Sequence, residues 1–210
     1  MKIIFLGAPG AGKGTQAEKT AKRLGIPTIS TGVIIREAIK FGTEMGIKAK
    51  KFIEKGELAP DDVVIGIIKE RLQKTDCECG FILDGFPRTV SQAEALDEMG
   101  VALDRVISIE VPDDVIVERM TGRRVCANCG SSYHVTDNPS RDGKTCDNCG
   151  TELTTRADGA PEVVLNRLVT YHEKTEPLKA FYLKKGILKT VDGNGSVEQT
   201  SLRTVEAIGV

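Results

Sequence analysis

A glycine-rich segment near the start of the chain, Gly7–Thr15 (GAPGAGKGT), has residue types suited to holding a phosphate group. Its glycines let successive backbone N–H groups converge on an anion, because no Cβ stands in the way. Lys13 adds a point charge for the β and γ phosphates of a nucleoside triphosphate. The apolar run Ile3–Leu6 predicts a buried strand before the loop, and Thr15–Leu24 predicts a helix after it. This context is that of a Walker A phosphate loop and not of a mere glycine turn.

A second segment, Asp84–Arg88 (DGFPR), follows the predicted strand Phe81–Asp84. Arg88 has the planar guanidinium that grips a phosphate through two hydrogen bonds. Asp84 is suited to organise Mg²⁺ through its water shell, since this ion usually keeps several waters. Alone, the segment is equally consistent with a strand-ending turn that carries a surface arginine. At the same edge of a parallel sheet as a phosphate loop, it predicts a second half of the site.

Four cysteines have the spacing of a structural zinc site: Cys126-x2-Cys129-x16-Cys146-x2-Cys149. A glycine follows each CxxC pair and permits the tight turn that aims two sulfurs at one ion. Four thiolates complete a tetrahedron and leave no open position, so we expect Zn²⁺ to be structural. Unmetallated and disulfide forms remain alternatives. Cys77 and Cys79, with a single residue between them, are interpreted as ordinary thiols.

Strands alternate with helices along most of the chain, which predicts an α/β fold with a mostly parallel sheet covered on both sides. Further strands are predicted at 26–30, 105–109 and 188–191, and further helices at 31–41, 44–55, 60–74, 89–98, 113–121, 161–173 and 196–207. Thr175 is the expected N-cap of a helix that restarts at Pro177. Residues 122–160 break the alternation and are poor in large apolar side chains, which indicates an inserted subdomain without a core of its own.

The bulk composition limits the classes of partner. A net charge of −1 provides no overall basic field for nucleic acid, and aromatic residues suitable for stacking are only 4% with no Trp. The longest apolar run at the start has four residues, far short of the ~20 that a membrane span needs. Six cysteines without a targeting segment favour a cytoplasmic protein over a disulfide scaffold. We therefore expect neither nucleic acid nor membrane as a partner, and a monomer.

The spacings GxPGxGKGT and DGFPR resemble those of the adenylate kinases, within the nucleoside monophosphate kinase family, and the likeness extends along nearly the whole chain. With the four cysteines, the chain is similar to bacterial members that have a zinc-binding lid. Gly14 follows Lys13 where many other P-loop proteins carry Ser or Thr, and the guanine-reading Asn-Lys-x-Asp pattern is missing. The resemblance implies a P-loop core (1–29, 60–121 and 161–210), a helical NMP-binding insertion (30–59) and a zinc-ribbon-like lid (122–160).

The resemblance also assigns roles to individual residues. It implies that ATP is held by Gly10, Ala11, Gly12, Lys13, Gly14, Thr15, Arg119, Arg123, Ser132, Tyr133 and Gly195. It implies that AMP is held by Thr31, Arg36, Glu57, Leu58, Ala59, Gly85, Phe86, Pro87, Arg88, Gln92, Arg156 and Arg167. In this family the counterparts of Thr31 and Gln92 contact adenine, and those of Arg36 and Arg88 hold the phosphate. Transfer is expected to depend on Lys13, Asp84, Arg88, Arg123, Arg156 and Arg167.

The implied activity is reversible transfer of a phosphoryl group from MgATP to AMP, giving two ADP. The phosphate of AMP is already anionic, so no general base is required, and a lid that closes over both substrates would exclude water. Two departures from the family pattern are Val33, where relatives often carry an acid, and Gly159, where a second acid often follows Asp158. Alternatives are a kinase acting on UMP, CMP or GMP, a GTP-using relative, a zinc-ribbon nucleic-acid-binding ATPase, and a nucleotide sensor without turnover.

Overall fold

The computed structural model describes residues 1–155 and 159–210 of the chain. Its main sheet is parallel throughout and has the strand order β2-β3-β1-β4-β8. The strands are β1 (Lys2–Leu6), β2 (Thr28–Ser30), β3 (Phe81–Asp84), β4 (Arg105–Glu110) and β8 (Leu188–Asp192). The predicted parallel sheet is confirmed, and the phosphate loop and the DGFPR segment follow the adjacent strands β1 and β3.

Helices cover both faces of this sheet. They are α1 (Lys13–Leu24), α2 (Thr31–Lys40), α3 (Glu44–Ile53), α4 (Asp61–Leu72), α5 (Val90–Glu98), α6 (Asp113–Thr121), α7 (Pro161–Thr170), α8 (Pro177–Lys184) and α9 (Val197–Ile208). Alternate residues of β1 point to opposite faces: Ile3 and Phe5 pack with α1, α6, α7 and α9, and Ile4 and Leu6 pack with α2, α3, α4, α5 and α8. Full burial on both faces explains why the strand is a continuous apolar run.

One predicted helix boundary is wrong. We expected the helix from Pro161 to stop near Glu173 and to restart with Thr175 as its N-cap. Instead a π-helical turn, Tyr171–Thr175, joins α7 to α8, with the N–H of Glu176 donating to the carbonyl of Tyr171 at 2.9 Å. Thr175 caps nothing: its hydroxyl donates to the carbonyl of Arg88 at 2.8 Å. The extra residue in this turn aims Thr175 at the DGFPR segment.

The described part of 122–160, the segment predicted to be an insertion, contains a small antiparallel sheet of order β6-β5-β7. Its strands are β5 (Arg123–Cys126), β6 (Ser132–His134) and β7 (Leu153–Thr154). Among its described residues, the apolar side chains counted as buried are only those of Cys126 and Cys146. This supports the expectation that the segment cannot build a core of its own. Within the described part of the chain, no helix has both the length and the apolarity to cross a membrane.

Candidate active site

The phosphate loop adopts backbone angles that favour glycine. Gly10 and Gly12 have φ of 86° and 97°, in the left-handed region that other residues rarely enter. A Cβ on Gly10 would lie 2.8 Å from the side chain of Met120, so the loop also needs glycine for space. The loop passes directly into α1 at Lys13, which places its backbone at a helix N-terminus, where the helix dipole favours an anion.

Lys13 is the electrostatic centre of the cleft. Its ammonium donates to the carbonyls of Gly7 and Ala8, both at 2.7 Å. Burial, together with the charges of three nearby arginines, lowers the pKa of Lys13 to about 8, while Asp84 opposes the shift. These arginines are Arg88, Arg167 and Arg123. The fold therefore gathers side chains from β3, the DGFPR segment, β5 and α7 around one lysine, as a polyanionic ligand requires.

The carbonyl of Gly85 organises the acceptor side. It accepts from the hydroxyl of Thr31 at 2.7 Å and from Nε of Arg88 at 2.8 Å. Gly85 itself has φ of 76°, and a Cβ here would lie 2.8 Å from the Arg88 guanidinium. The hydroxyl of Thr175 holds the same residue at a second point, by donating to the main-chain carbonyl of Arg88. These contacts orient Arg88 before any ligand arrives.

Gln92 lies at the floor of the cleft and is only 1% exposed. Its carbonyl oxygen accepts from the backbone N–H of Arg88 at 2.8 Å. Its NH₂ group donates to Asp61 Oδ1 at 2.7 Å, while Oδ2 of the same carboxylate accepts from Thr89 at 2.8 Å. Asp61 thereby ties the start of α4 to the start of α5 next to the predicted adenine contact.

A single cleft of about 1040 Å³, including its open mouth, lies between these elements. Many of the residues expected to hold AMP line it, along with Lys13: Thr31, Arg36, Glu57, Leu58, Ala59, Gly85, Pro87, Arg88, Gln92 and Arg167. Phe86 does not line the cleft; its ring is 0% exposed and packs in the core beneath the DGFPR turn. Glu57, by contrast, is exposed at the rim of the cleft.

The residues expected on the ATP side outside the phosphate loop include Arg119 of α6 and Arg123 of β5. Arg119 donates to the carbonyls of Gly193 and Gly195 at 3.0 and 3.3 Å, which brings α6 and the turn before α9 together. Arg123 donates through Nε to the hydroxyl of Ser132 at 3.0 Å. Arg156 lies outside the described residues.

Tyr133 faces the cysteine cluster with its polar end. Its hydroxyl lies 3.5 Å from the sulfur of Cys146 and accepts from the backbone N–H of Asp147 at 2.9 Å. Only the ring of Tyr133 is left to meet a nucleotide, and its assignment to the ATP side stays a prediction.

The four cysteines predicted to bind a metal come together. The sulfurs of Cys126, Cys129, Cys146 and Cys149 all lie within 4.8 Å of one another. Three of the sulfur–sulfur distances are 3.4, 3.5 and 3.5 Å, close to the ~3.8 Å edge of a tetrahedron with 2.3 Å zinc–sulfur bonds.

The two CxxC turns have the same backbone pattern. Gly130 and Gly150, with φ of 76° and 72°, donate their N–H groups to the carbonyls of Cys126 and Cys146 at 3.0 and 2.8 Å. Contacts from the hydroxyl and main chain of Thr151 lower the pKa of Cys149, which favours the thiolate that a metal binds. The donor set and its geometry fit a four-thiolate zinc site.

Two contributors to the site were not identified from the sequence. From the sequence, Asp61 is only one of two acids in the first turn of α4, where the helix dipole favours them. Thr175 was assigned to a helix cap. Neither Asp61 nor Thr175 belongs to a sequence motif, because their partners lie far away along the chain. Gln92 is 31 residues from Asp61, and Arg88 is 87 residues from Thr175. The only sequence signal was an acid next to Pro60, which is common at helix starts.

The sequence is similar to known proteins along its whole length. The sequence model of the adenylate kinase family matches residues 5–187. An adenylate kinase of Caldicellulosiruptor bescii is 52% identical, with all of both chains covered. One of Carboxydothermus hydrogenoformans is 54% identical over 95% of each chain. One of Archaeoglobus fulgidus is 54% identical over 99% of this chain and 97% of its own.

Proposed function

We propose that this chain, a member of the adenylate kinase family and so a nucleoside monophosphate kinase, catalyses reversible phosphoryl transfer from MgATP to AMP. The observation that carries the proposal is one cleft in which Lys13 of the phosphate loop meets Arg88, Thr31 and Gln92. A triphosphate-binding loop and a monophosphate pocket in the same cleft hold a donor and an acceptor for direct transfer.

On the donor side, the backbone of Gly10–Thr15 cradles the phosphates of ATP, and Lys13 exchanges its two loop carbonyls for β- and γ-phosphate oxygens. Asp84 accepts from Ser30 at 3.2 Å, which helps to fix the carboxylate that would hold Mg²⁺ through its water shell when MgATP is bound. Arg119, Arg123, Ser132, Tyr133 and Gly195 are proposed to complete the ATP side. A Cβ on Gly14 would lie 3.4 Å from Asp84, in ordinary van der Waals contact, so this position of the loop adjoins the carboxylate.

On the acceptor side, Arg36 and Arg88 hold the phosphate of AMP, and Thr31 and Gln92 contact its base. An oxygen of that phosphate attacks the γ phosphorus of ATP as the bond from this phosphorus to the β–γ bridging oxygen breaks. The leaving group is ADP and the product of attack is the second ADP. No proton moves, and Arg123, Arg156 and Arg167 neutralise charge on the transferring group.

We propose that residues 122–160 act as a lid over the donor and that residues 30–59 act as the AMP-binding insertion. The reaction requires both to close, because open solvent would let water attack the γ phosphate. Zn²⁺ bound to the four cysteines supplies no chemistry to transfer; it cross-links a lid in which the described apolar core is limited to two cysteines.

We further propose a cytoplasmic monomer that handles ATP, AMP and ADP and binds neither nucleic acid nor membranes. No disulfide links any of the six cysteines, all of which are described, as expected of a reducing compartment. One chain also supplies both the donor and the acceptor side of the cleft.

The test is product formation from MgATP alone and with AMP, UMP, CMP or GMP added separately. We expect rapid ADP formation only with AMP. A preference for UMP, CMP or GMP would contradict the roles given to Thr31 and Gln92, and GTP as the better donor would contradict the ATP assignment. Transfer to none of the four would contradict the kinase proposal itself.

A further inference from the structure

The side-chain amide of Gln92 is held in one orientation by two partners that cannot exchange roles. The backbone N–H of Arg88 can only donate, so its partner at 2.8 Å must be the amide oxygen. The carboxylate of Asp61 can only accept, so its partner at 2.7 Å must be the NH₂ group. Rotating the amide by 180° would set oxygen against carboxylate and N–H against N–H, and would break both hydrogen bonds.

Asp61 is itself fixed. Its second oxygen accepts from the hydroxyl of Thr89 at 2.8 Å, and that hydroxyl also caps α5 by accepting from the N–H of Gln92 at 3.2 Å. Asp61 lies at the first residue of α4, where the helix dipole stabilises its negative charge. Gln92 is 1% exposed, so water is not at hand to replace a lost partner.

The orientation of this amide matters because it distinguishes two classes of purine. At positions 6 and 1, adenine offers an N–H donor and then an acceptor nitrogen, whereas hypoxanthine and guanine offer a carbonyl acceptor and then an N–H donor. An amide that turns freely can serve either pattern. After its bonds to Arg88 and Asp61, the locked Gln92 retains one free lone pair on oxygen and one N–H, in a fixed order.

We infer that Asp61 is a positioning residue that sets the preference for 6-aminopurine over 6-oxopurine monophosphates by fixing the amide of Gln92. The inference rests on the proposed function, since it requires the base of the acceptor to lie against Gln92. Because the acceptor phosphate is anchored at Arg88, the base does not slide to meet a turned amide. Asp61 touches neither the substrate nor the transferring group.

The experiment compares kcat/KM for AMP with kcat/KM for inosine monophosphate, whose 6-oxopurine lacks the 2-amino group of guanine and so isolates the edge at positions 6 and 1. In Asp61→Ala, Gln92 loses one of the two partners that specify its orientation and keeps only the N–H of Arg88. We expect the AMP-to-inosine-monophosphate ratio to fall about tenfold or more. The ratio comes from one preparation, so a loss of folded enzyme cancels and leaves the result interpretable.

Three further variants separate positioning from general damage. Asp62→Ala removes the exposed acid beside Asp61 on the same helical turn and should leave the ratio unchanged. Asp61→Asn should keep the ratio within about threefold of wild type, because its carbonyl can still accept from Gln92 while its NH₂ donates to Thr89. In a Gln92→Ala background, Asp61→Ala should have no further effect on the ratio.

An unchanged ratio in Asp61→Ala would overturn the inference, as would an equal loss in Asp62→Ala or a Gln92→Ala enzyme with the wild-type ratio. A wild-type enzyme that transfers to no purine monophosphate would instead overturn the proposed function. The two failures are therefore distinguishable in the same assay.

Discussion

The two most informative residues of the cleft, Lys13 and Arg88, differ in how the protein prepares them. Arg88 is positioned by hydrogen bonds from both sides, to Gly85 through Nε and from Thr175 at its main-chain carbonyl. For Lys13, burial and neighbouring arginines destabilise the charged ammonium form in the free protein, and the phosphates of a bound nucleotide would stabilise it. The two residues are therefore tested by different measurements.

Lys13 should take up a proton when ATP binds at alkaline pH. Its pKa is lowered to about 8 in the free protein, and an anionic triphosphate favours the ammonium form. Calorimetric titration with ATP at pH 8.5 to 9, in buffers of different ionisation enthalpy, should show uptake of up to about one proton, and much less at pH 7. Uptake that does not depend on pH would contradict the lowered pKa.

The lowered pKa of Lys13 also makes the stability of the protein depend on pH. Between about pH 8 and the ordinary lysine value of 10.5, the unfolded chain binds the proton that the folded one lacks. The contribution of Lys13 to the free energy of unfolding therefore rises with pH across this window. Lys13→Met should remove that rise, measured by urea unfolding at pH 7.5 and pH 9.5. If Lys13→Met shows a rise of the same size, other titratable groups cause it and the prediction is contradicted.

Arg88→Ala should lower kcat/KM for AMP about 10²- to 10³-fold, because a preorganised donor to the reacting phosphates is lost. Arg88→Lys should rescue little, since an ammonium cannot reproduce the two-pronged contact. Arg23→Ala, which removes an exposed arginine of α1, is the matched control. Circular dichroism should show an unchanged fold, and near-wild-type turnover in Arg88→Ala would contradict the acceptor site.

At the scale of elements, the sheet of the proposed lid and the junction between α7 and α8 are stabilised by different interactions. The antiparallel sheet of β5, β6 and β7 carries the four-cysteine cluster, and the proposed zinc would cross-link it. Where α7 meets α8, the π-helical turn is instead fastened to α6 by ion pairs. There His172 bridges Glu176 at 2.7 Å and Asp113 at 2.9 Å.

Cys146→Ser should lower the melting temperature far more than it lowers the rate at moderate temperature, because the proposed metal would stabilise the lid without entering the reaction. Cys79→Ser, an exposed thiol outside the cluster, should change neither. Differential scanning calorimetry and an ADP-forming assay measure the two effects. A rate loss with unchanged melting would mean that the cluster takes part in catalysis.

The bridge at His172 should stabilise the protein more in acid than in base. Hydrogen bonds to Glu176 and then to Asp113 raise the pKa of His172 above its ordinary 6.5. Its contribution is complete below 6.5 and is lost as pH rises through the raised value. The melting-temperature difference between wild type and His172→Gln should be larger at pH 6 than at pH 8.5. A difference independent of pH would contradict the charged bridge.

At the scale of the whole molecule, the sequence predicted what depends on local pattern. Apolar runs predicted the parallel strands, and the glycine, DGFPR and cysteine spacings predicted three ligand sites. The sequence did not predict contacts between distant segments, such as Asp61 with Gln92 and Thr175 with Arg88. Nor did it predict the π-helical turn, because one inserted residue leaves the apolar periodicity of α7 and α8 almost intact.

The proposed phosphoryl transfer requires that donor and acceptor share one cleft from which water is excluded at transfer. The most direct measurement is the fate of the label from γ-³²P-ATP in the presence and absence of AMP. We predict that the label appears in ADP when AMP is present, with two ADP formed per ATP consumed, and that little inorganic phosphate is released in either case. Label released as phosphate at a rate comparable to transfer, or unaffected by AMP, would contradict the account.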